Sequence, residues 1–250
     1  MEEILIIPDV HGRKFWKEPC ENWKGKIVFL GDYFDPYPQE FITDEMAYIN
    51  AIELFNFIEK NSDRVIALLG NHDLHYLSQD FTESTRYSFE YAPKIRELLN
   101  KYIKYFKLAY ETNNILFTHA GVTESWGNAF ENSEFSNPAK PVSENLNYLL
   151  KKVLEGDYNA ISLLSWVGRV RGGWNLSGSC VWADIYETLY CNKYYLDITQ
   201  IVGHSKVKEI CGTEELRKLG GITNYDNSVI YTDCQKACIL TKEGKVTYYE

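Results

Sequence analysis

Short apolar runs recur along the chain and alternate with longer amphipathic segments. Each run is stopped by a glycine or a polar residue, a pattern typical of buried strands in an α/β sheet. The predicted strands are residues 4–7, 27–30, 65–69, 115–117 and 198–202. The alternation of these runs with helical patterns predicts βαβ-type connections rather than an all-β or all-α chain.

Three segments between the strands carry apolar residues at helical spacing. They are residues 44–60, 93–105 and 143–154. Thr43 and Ser143 stand where helix N-caps are expected, because a hydroxyl can accept a hydrogen bond from the first turn of backbone N–H groups. The spacing therefore predicts three helices, two of them with a side-chain cap.

The end of the chain has a different pattern. Residues 224–233 and 237–250 are predicted to be strands, and the second is expected to fold into a hairpin at Glu243-Gly244. An alternating α/β region followed by an antiparallel tail indicates more than one kind of sheet. We expect a single domain over residues 1–250.

Composition and charge narrow the function classes. The 250 residues include 35 Asp and Glu against 26 Lys and Arg, a net charge of −9, which argues against stable nucleic-acid binding. No apolar run approaches the ~20 residues that span a bilayer, and no export signal is visible, so we expect a cytoplasmic protein without membrane contact. The six cysteines lack C-x-x-C spacing and are expected to be reduced and buried.

Polar, chemistry-bearing residues follow all five predicted strands. Ligand sites of open α/β sheets lie beyond the carboxyl ends of the strands, so these segments are expected to share one edge. Four of the five histidines fall within them. The segments are Asp9-Val10-His11-Gly12, Gly31-Asp32-Tyr33-Phe34-Asp35, Gly70-Asn71-His72-Asp73, His119-Ala120-Gly121 and Gly203-His204-Ser205.

The donor types in these segments suit metal ions. Asp9 and His11 are two apart on an extended segment, so both face one side and can grip one cation. The carboxylate of Asp32 has two oxygens and can bridge two ions at ~3.5–4 Å separation. The mixture of oxygen and nitrogen donors favours manganese, iron, zinc or nickel over calcium or magnesium. The further donors for a second ion are Asn71, His119 and His204.

Taken in order, the motifs D-x-H-G, G-D-x-x-D, G-N-H-[DE], H-[AG]-G and G-H-[ST] resemble those of the calcineurin-like metallophosphoesterase superfamily. The matching motifs extend from Asp9 to Ser205. Within the superfamily, they resemble most the branch of Ser/Thr protein phosphatases and diadenosine tetraphosphatases. The resemblance implies an α/β fold in the form of a four-layer αββα sandwich with two mixed β-sheets.

The resemblance also implies a mechanism for hydrolysing phosphomonoesters of proteins or small molecules. Two divalent transition-metal ions, manganese foremost, would be held by Asp9, His11 and a bridging Asp32, and by the second donor set given above. A hydroxide shared by the ions would attack phosphorus in line. His72 occupies the position of the general acid that protonates the leaving group, and Asp35 that of its carboxylate partner.

Two departures from the family pattern are informative. The branch usually continues G-D-x-x-D with Arg-Gly, whose arginine binds phosphate, whereas Asp35 is followed here by Pro36-Tyr37. An arginine that binds phosphate through two hydrogen bonds must then come from another segment of the chain. Lys206 stands where many phosphodiesterases have a second histidine, which favours the phosphomonoesterase branch. The candidate phosphate-binding residues are Arg13, Arg169 and Arg171.

Other interpretations stay open at this point. A dinucleoside polyphosphate hydrolase would need a base-stacking surface, which Trp166, Trp174 or Trp182 could supply, although core packing is the expected role of these rings. A non-catalytic scaffold for protein interactions is the third reading, and the intact ligand set argues against it. His75 either faces solvent on a helical turn or contacts substrate.

Overall fold

A computed structural model describes residues 1–81, 83–190, 198–212 and 229–250. Within these ranges, no helix combines the length and the apolar character needed to cross a bilayer. The helices and strands are, in chain order, β1 (Ile4–Ile7), α1 (Lys17–Asn22), β2 (Lys26–Phe29), α2 (Asp44–Lys60), β3 (Val65–Leu68), α3 (Asn71–Leu77), α4 (Ala92–Tyr102), β4 (Phe106–Lys107), β5 (Ala109–Thr112), β6 (Ile115–Thr118), α5 (Glu124–Glu131), α6 (Val142–Leu154), α7 (Tyr158–Leu164), α8 (Ile185–Tyr190), β7 (Thr199–Val202), β8 (Cys211–Gly212), β9 (Val229–Tyr231), β10 (Cys238–Leu240) and β11 (Val246–Tyr248).

The chain forms two compact units. The first comprises residues 1–107 and 235–250, and the second comprises residues 108–234. Each unit contains one mixed sheet, so the predicted α/β fold with two mixed sheets is confirmed.

The sheet of the first unit has the order β11-β10-β1-β2-β3-β4. Strands β1 to β4 are parallel neighbours, and the C-terminal hairpin joins the edge of β1 antiparallel. All four residues of β1 are buried, as expected for a strand covered on both faces. The parallel order brings the carboxyl ends of β1, β2 and β3 side by side, which positions the loops that follow them.

The sheet of the second unit has the order β5-β6-β7-β9-β8. β6, β7 and β9 run parallel, whereas β5 and β8 are antiparallel to their neighbours. β6 and β7 are adjacent although some eighty residues separate them in sequence. Their loops, which carry His119 and His204, therefore leave the same edge of this sheet.

Most predicted elements are confirmed, with differences at the ends of helices. The helix at 44–60 is found with Thr43 as its N-cap, and Thr43 Oγ1 accepts from the Met46 amide at 3.1 Å. The Ser143 cap is wrong, because α6 already begins at Val142 and Pro141 occupies the cap position. The C-terminal hairpin turns at Gly244, with φ of +81°. Residues 224–228 of the predicted strand lie outside the described residues.

The cysteine prediction is partly confirmed. Five cysteines are free thiols, and Cys20, Cys180 and Cys238 are buried. Cys211 and Cys234 are half-buried, which corrects the expectation of full burial. Cys191 lies outside the described residues.

Candidate functional site

Backbone hydrogen bonds tie together the loops that follow β1 and β2. The amides of Val10 and His11 both donate to the carbonyl of Asp32, at 3.1 and 2.7 Å, and the amide of Gly12 donates to the carbonyl of Tyr33 at 3.1 Å. The two segments that carry the predicted first-metal ligands are thus held in fixed register by the main chain itself.

A buried carboxylate joins the loop after β3 to this pair. Asp73 accepts hydrogen bonds from the amides of Asp32 at 2.8 Å, Tyr33 at 2.9 Å and Gly70 at 2.8 Å. Sequence reasoning assigned no role to Asp73. A signal was present, since an acidic residue at the third position of a helix commonly caps the amide before the first turn.

Several predicted site residues adopt left-handed backbone conformations that side-chain-bearing residues rarely occupy. The φ angles are +44° at His11, +54° at Asp32 and +57° at Asp35, and in the second unit +58° at His204. Such conformations cost of order 1–3 kcal/mol each and cluster at functional sites. The strain supports the interpretation that these loops are shaped to present particular side chains.

His11 has the tautomer and charge state of a metal ligand. Its Nδ1 lies 2.7 Å from the carbonyl oxygen of Phe34, so Nδ1–H donates and the lone pair is on Nε2. That Nε2 lies 3.5 Å from Asp32 Oδ2 and 4.0 Å from Asp9 Oδ2. Burial, partly offset by the charge of Asp32, lowers the pKa of His11 to about 3. A neutral imidazole between two carboxylates fits a divalent cation.

The neighbouring donors are also held by specific hydrogen bonds. The side-chain amide of Asn71 donates to Ser84 Oγ at 2.8 Å, which fixes its orientation and makes Oδ1 the candidate ligand atom. Asp32 Oδ1 accepts from the His72 amide at 3.0 Å. Donor atoms of His11, Asp32 and His72 all lie within 4.8 Å of one another. The first unit therefore contains a compact, buried group of potential metal ligands.

In the second unit, two histidines face each other. His119 follows β6 and His204 follows β7, and the Gly203 amide donates to the His119 carbonyl at 2.8 Å. His119 Nε2 lies 3.1 Å from His204 Nδ1. Two nitrogens bound to one ion at about 2.1 Å are about 3 Å apart when at right angles, so the pair is spaced to share a cation.

The carboxylate of Asp35 is the centre of a buried network. Its Oδ2 accepts from His72 Nδ1 at 2.7 Å and lies 2.8 Å from His75 Nε2, while its Oδ1 accepts from the hydroxyl of Tyr76. Burial alone would raise the pKa of Asp35, but the hydrogen bonds and charges of the two imidazoles outweigh it and lower the pKa. Burial and the Asp35 charge raise the pKa of Tyr76, so its hydroxyl stays a donor. The predicted pairing of His72 with Asp35 is present.

His75 does not face solvent, which corrects one of the two interpretations offered for it. The residue is 2% exposed. Its Nδ1 accepts from the Ser84 amide at 3.0 Å, and its Nε2 points at Asp35. The sequence missed this second partner because spacing on a helix shows which residues share a face but not what covers that face.

The three candidate phosphate-binding arginines differ in how far they are already paired. Arg13 is buried and bound by both carboxylate oxygens of Glu40, at 2.7 and 2.9 Å, so its charge is compensated locally. Arg171 pairs with Asp184 at 2.6 Å and donates to Ser205 Oγ at 3.2 Å, next to His204. The side chain of Arg169 is exposed on the same turn.

One of the three tryptophans expected in the core lies on the surface. Trp174 is 94% exposed, whereas Trp166 and Trp182 are half-buried. The ring of Trp182 is edge-on to His204, with centroids 6.1 Å apart. Trp174 shares an exposed turn of the second unit with Val170 and Leu176. Core packing therefore does not account for Trp174.

Comparisons with known proteins give a family match and similar solved structures. The family profile described as calcineurin-like phosphoesterase matches residues 3–208. No curated protein matches the chain. Among solved structures, the cold-active protein-tyrosine phosphatase of the psychrophile Shewanella sp. aligns with 100% of this chain and 81% of its own, at TM-score 0.58 and 15% identity. A metallophosphoesterase from Sphaerobacter thermophilus aligns with 99% of this chain and 86% of its own, at TM-score 0.44 and 13% identity.

Proposed function

The chain belongs to the calcineurin-like phosphoesterase family, and from that premise we propose that it is a dinuclear metal-dependent phosphatase acting on phosphomonoesters. The prediction of a metal-dependent phosphatase is confirmed at the level of the family. The substrate we propose is a phosphoprotein or a small phosphorylated molecule.

The observation that carries the proposal is the state of His11. A buried imidazole that stays neutral, donates Nδ1–H to a carbonyl and turns Nε2 toward two carboxylates is arranged as a ligand rather than as an ion-pair partner. We propose Asp9, His11 and Asp32 as ligands of the first ion. When bound, two divalent cations supply an activated water near neutral pH and positive charge for the phosphate oxygens.

For a second ion we propose Asn71, His119 and His204, with Asp32 bridging. The fixed amide of Asn71 and the 3.1 Å separation of the imidazoles of His119 and His204 support these assignments within their own units. The positive charge of the two proposed ions would allow a chain of net charge −9 to bind phosphates.

We propose His72 as the general acid. Its Nδ1–H donates to the Asp35 carboxylate, which fixes the ring and stabilises the imidazolium that gives its Nε2 proton to the leaving oxygen. Among the sequence candidates for phosphate contact, Arg171 is better supported than Arg13. Both arginines pair with a carboxylate, but the Arg171 side chain is 31% exposed and adjoins the His204 loop through Ser205, whereas the Arg13 side chain is 9% exposed and held by both oxygens of Glu40.

The test is an activity panel on protein loaded with manganese, accompanied by elemental analysis. We expect close to two transition-metal ions per chain and turnover of p-nitrophenyl phosphate and alkyl phosphomonoesters. His72→Ala should reduce turnover of alkyl phosphates far more than that of p-nitrophenyl phosphate, whose leaving group needs little protonation. Absence of bound metal and of turnover on every phosphoester would refute the enzyme assignment and favour the scaffold interpretation.

A dinucleoside polyphosphate hydrolase is the second candidate, favoured by one observation. Trp174 is almost fully exposed on the turn that carries Arg169, so an aromatic face and a guanidinium are available to a nucleobase and its phosphates. A higher kcat/KM for diadenosine tetraphosphate than for p-nitrophenyl phosphate, lost in Trp174→Ala, would favour this candidate. A Trp174→Ala variant with unchanged selectivity would eliminate it.

A further inference from the structure

We propose that Arg86 is the phosphate-binding arginine that replaces the one missing after Asp35, and that Tyr37 is the platform that positions it. The inference rests on the proposed function, because it concerns the same substrate. Arg86 lies nine residues beyond the end of α3, in a segment to which no motif drew attention.

The guanidinium of Arg86 lies beside the proposed general acid. Its Nη2 is 3.4 Å from His72 Nε2, and its Nε donates to the carbonyl of Asp35 at 3.0 Å. Since His72 donates through Nδ1, its Nε2 accepts from Arg86 Nη2 only while the ring is neutral. When Nε2 carries the proton that the general acid gives up, this N–H of Arg86 is released and faces the phosphate oxygens instead. A leaving oxygen that approaches Nε2 brings the non-bridging oxygens of its phosphoryl group next to Arg86.

Arg86 also keeps donors for a ligand. Its Nη1 donates to Thr85 Oγ1 at 3.2 Å, so three of the five N–H groups have partners among the described residues. One N–H remains on each terminal nitrogen, which is the arrangement for a bidentate contact with phosphate. Within the described part of the chain the guanidinium pairs with no carboxylate, unlike Arg13, which Glu40 neutralises.

Tyr37 lies where this chain departs from the family motif, in the segment that lacks an arginine after Asp35, and it contacts Arg86. The guanidinium carbon of Arg86 lies 3.9 Å from the centroid of the Tyr37 ring, a close cation–π contact. The same ring meets His11 edge-on at 5.0 Å. The aromatic ring two residues after Asp35 therefore packs against an arginine that belongs to a later loop. Arg86 itself is in a left-handed conformation, with φ of +68°, which suits a specifically shaped loop.

The experiment measures binding of inorganic phosphate to manganese-loaded protein by titration calorimetry, which does not depend on turnover. Arg86→Gly is the main variant, because glycine accepts the left-handed backbone without strain. We expect its Kd for phosphate to rise about 10- to 100-fold, from the loss of charge-assisted hydrogen bonds. Arg86→Lys, which keeps the charge but not the fork, should give an intermediate Kd. Metal content should match the wild type in both variants.

Lys101→Ala is the matched control, since it removes one positive charge from an exposed position of α4. Its Kd should stay within twofold of the wild type. Low millimolar guanidinium chloride should restore phosphate binding to Arg86→Gly, and potassium chloride at equal ionic strength should not. Tyr37→Leu should weaken binding, whereas Tyr37→Phe should not, because the ring and not the hydroxyl carries the contact.

Two results would overturn the inference. One is a phosphate Kd in Arg86→Gly within twofold of the wild type. The other is a fall in kcat without weaker phosphate binding and without rescue, which would assign Arg86 a purely structural role in the Asp35 loop. If the wild-type enzyme hydrolyses phosphomonoesters, either result in Arg86→Gly refutes the role of Arg86 and leaves the proposed function standing. Phosphate binding that depends on Arg86, in a protein without turnover, would instead refute the function alone.

Discussion

Replacing Asp35 by Asn separates the charge of the buried network from its hydrogen bonds. An Asn oxygen can still accept from His72 Nδ1 and face His75 Nε2, and its amide can donate to the Tyr76 hydroxyl. That hydroxyl already accepts from the Ser88 amide at 2.8 Å and can turn to accommodate the new donor. The tautomer of His72 is therefore retained, the Tyr76 hydroxyl gives up its hydrogen bond to residue 35, and His72 loses the negative charge that stabilises its protonated form.

The size of the effect follows from the difference between two kinds of hydrogen bond. A hydrogen bond to a charged group contributes about 1.5–3 kcal/mol and a neutral one about 0.5–1.5 kcal/mol, so the imidazolium of His72 loses about 1–2 kcal/mol. Because about 1.36 kcal/mol corresponds to tenfold in rate, we expect Asp35→Asn to lower kcat on alkyl phosphates about 5- to 30-fold.

The assay compares two leaving groups in the same protein. Turnover of p-nitrophenyl phosphate should change by less than about twofold, because its leaving group needs little protonation. Asp63→Asn, an exposed change of the same chemistry, serves as the control and should leave both rates unchanged. Equal losses on the two substrates in Asp35→Asn would refute the assignment of the Asp35–His72 pair to leaving-group protonation.

Three further predictions concern metal, packing and pH. Asp32→Asn should lower manganese content measured by elemental analysis, and unchanged occupancy would contradict a bridging role. Gly31→Ala should lower Tm by roughly 5–10 °C in thermal denaturation, because a Cβ at φ +108° would lie 2.5 Å from the Gly70 nitrogen; an unchanged Tm would contradict this close approach. His11 has a folded-state pKa of about 3 against 6.5 for the free residue, so the unfolded chain binds the proton first as pH falls. Metal-free protein should therefore lose stability from pH 6.5 toward pH 3, and His11→Gln, compared by denaturation in chelator at pH 7 and 5, should reduce that loss.

Elements with strong local signals were predictable from the sequence. The bounds of β1 and α2 and the Thr43 cap follow from apolar spacing and from one hydroxyl at the right position. The facing of His119 and His204 also followed, because residues after parallel neighbouring strands leave one edge of a sheet. In these places local chemistry and tertiary structure favour the same result.

The remaining features depend on packing between distant segments. The seven-residue helix α3 begins at Asn71 and is too short to show a periodic pattern. The hydrogen bonds of Asp73 span about forty residues, and the approach of Arg86 to Tyr37 requires a loop whose course no spacing reveals. These groups act through tertiary contacts, so the sequence carries their chemistry but not their positions.

The hydrogen bonds of the Asp73 carboxylate affect how the proposed ions bind to the protein. By holding the amides of Asp32, Tyr33 and Gly70, it joins the loops after β2 and β3 through contacts that involve no ligand. The conformational entropy of arranging the donors proposed for the first ion is then lost during folding rather than during binding. Ion uptake at these donors should behave as association with a rigid receptor, with a small heat-capacity change and a rate set by dehydration of the cation.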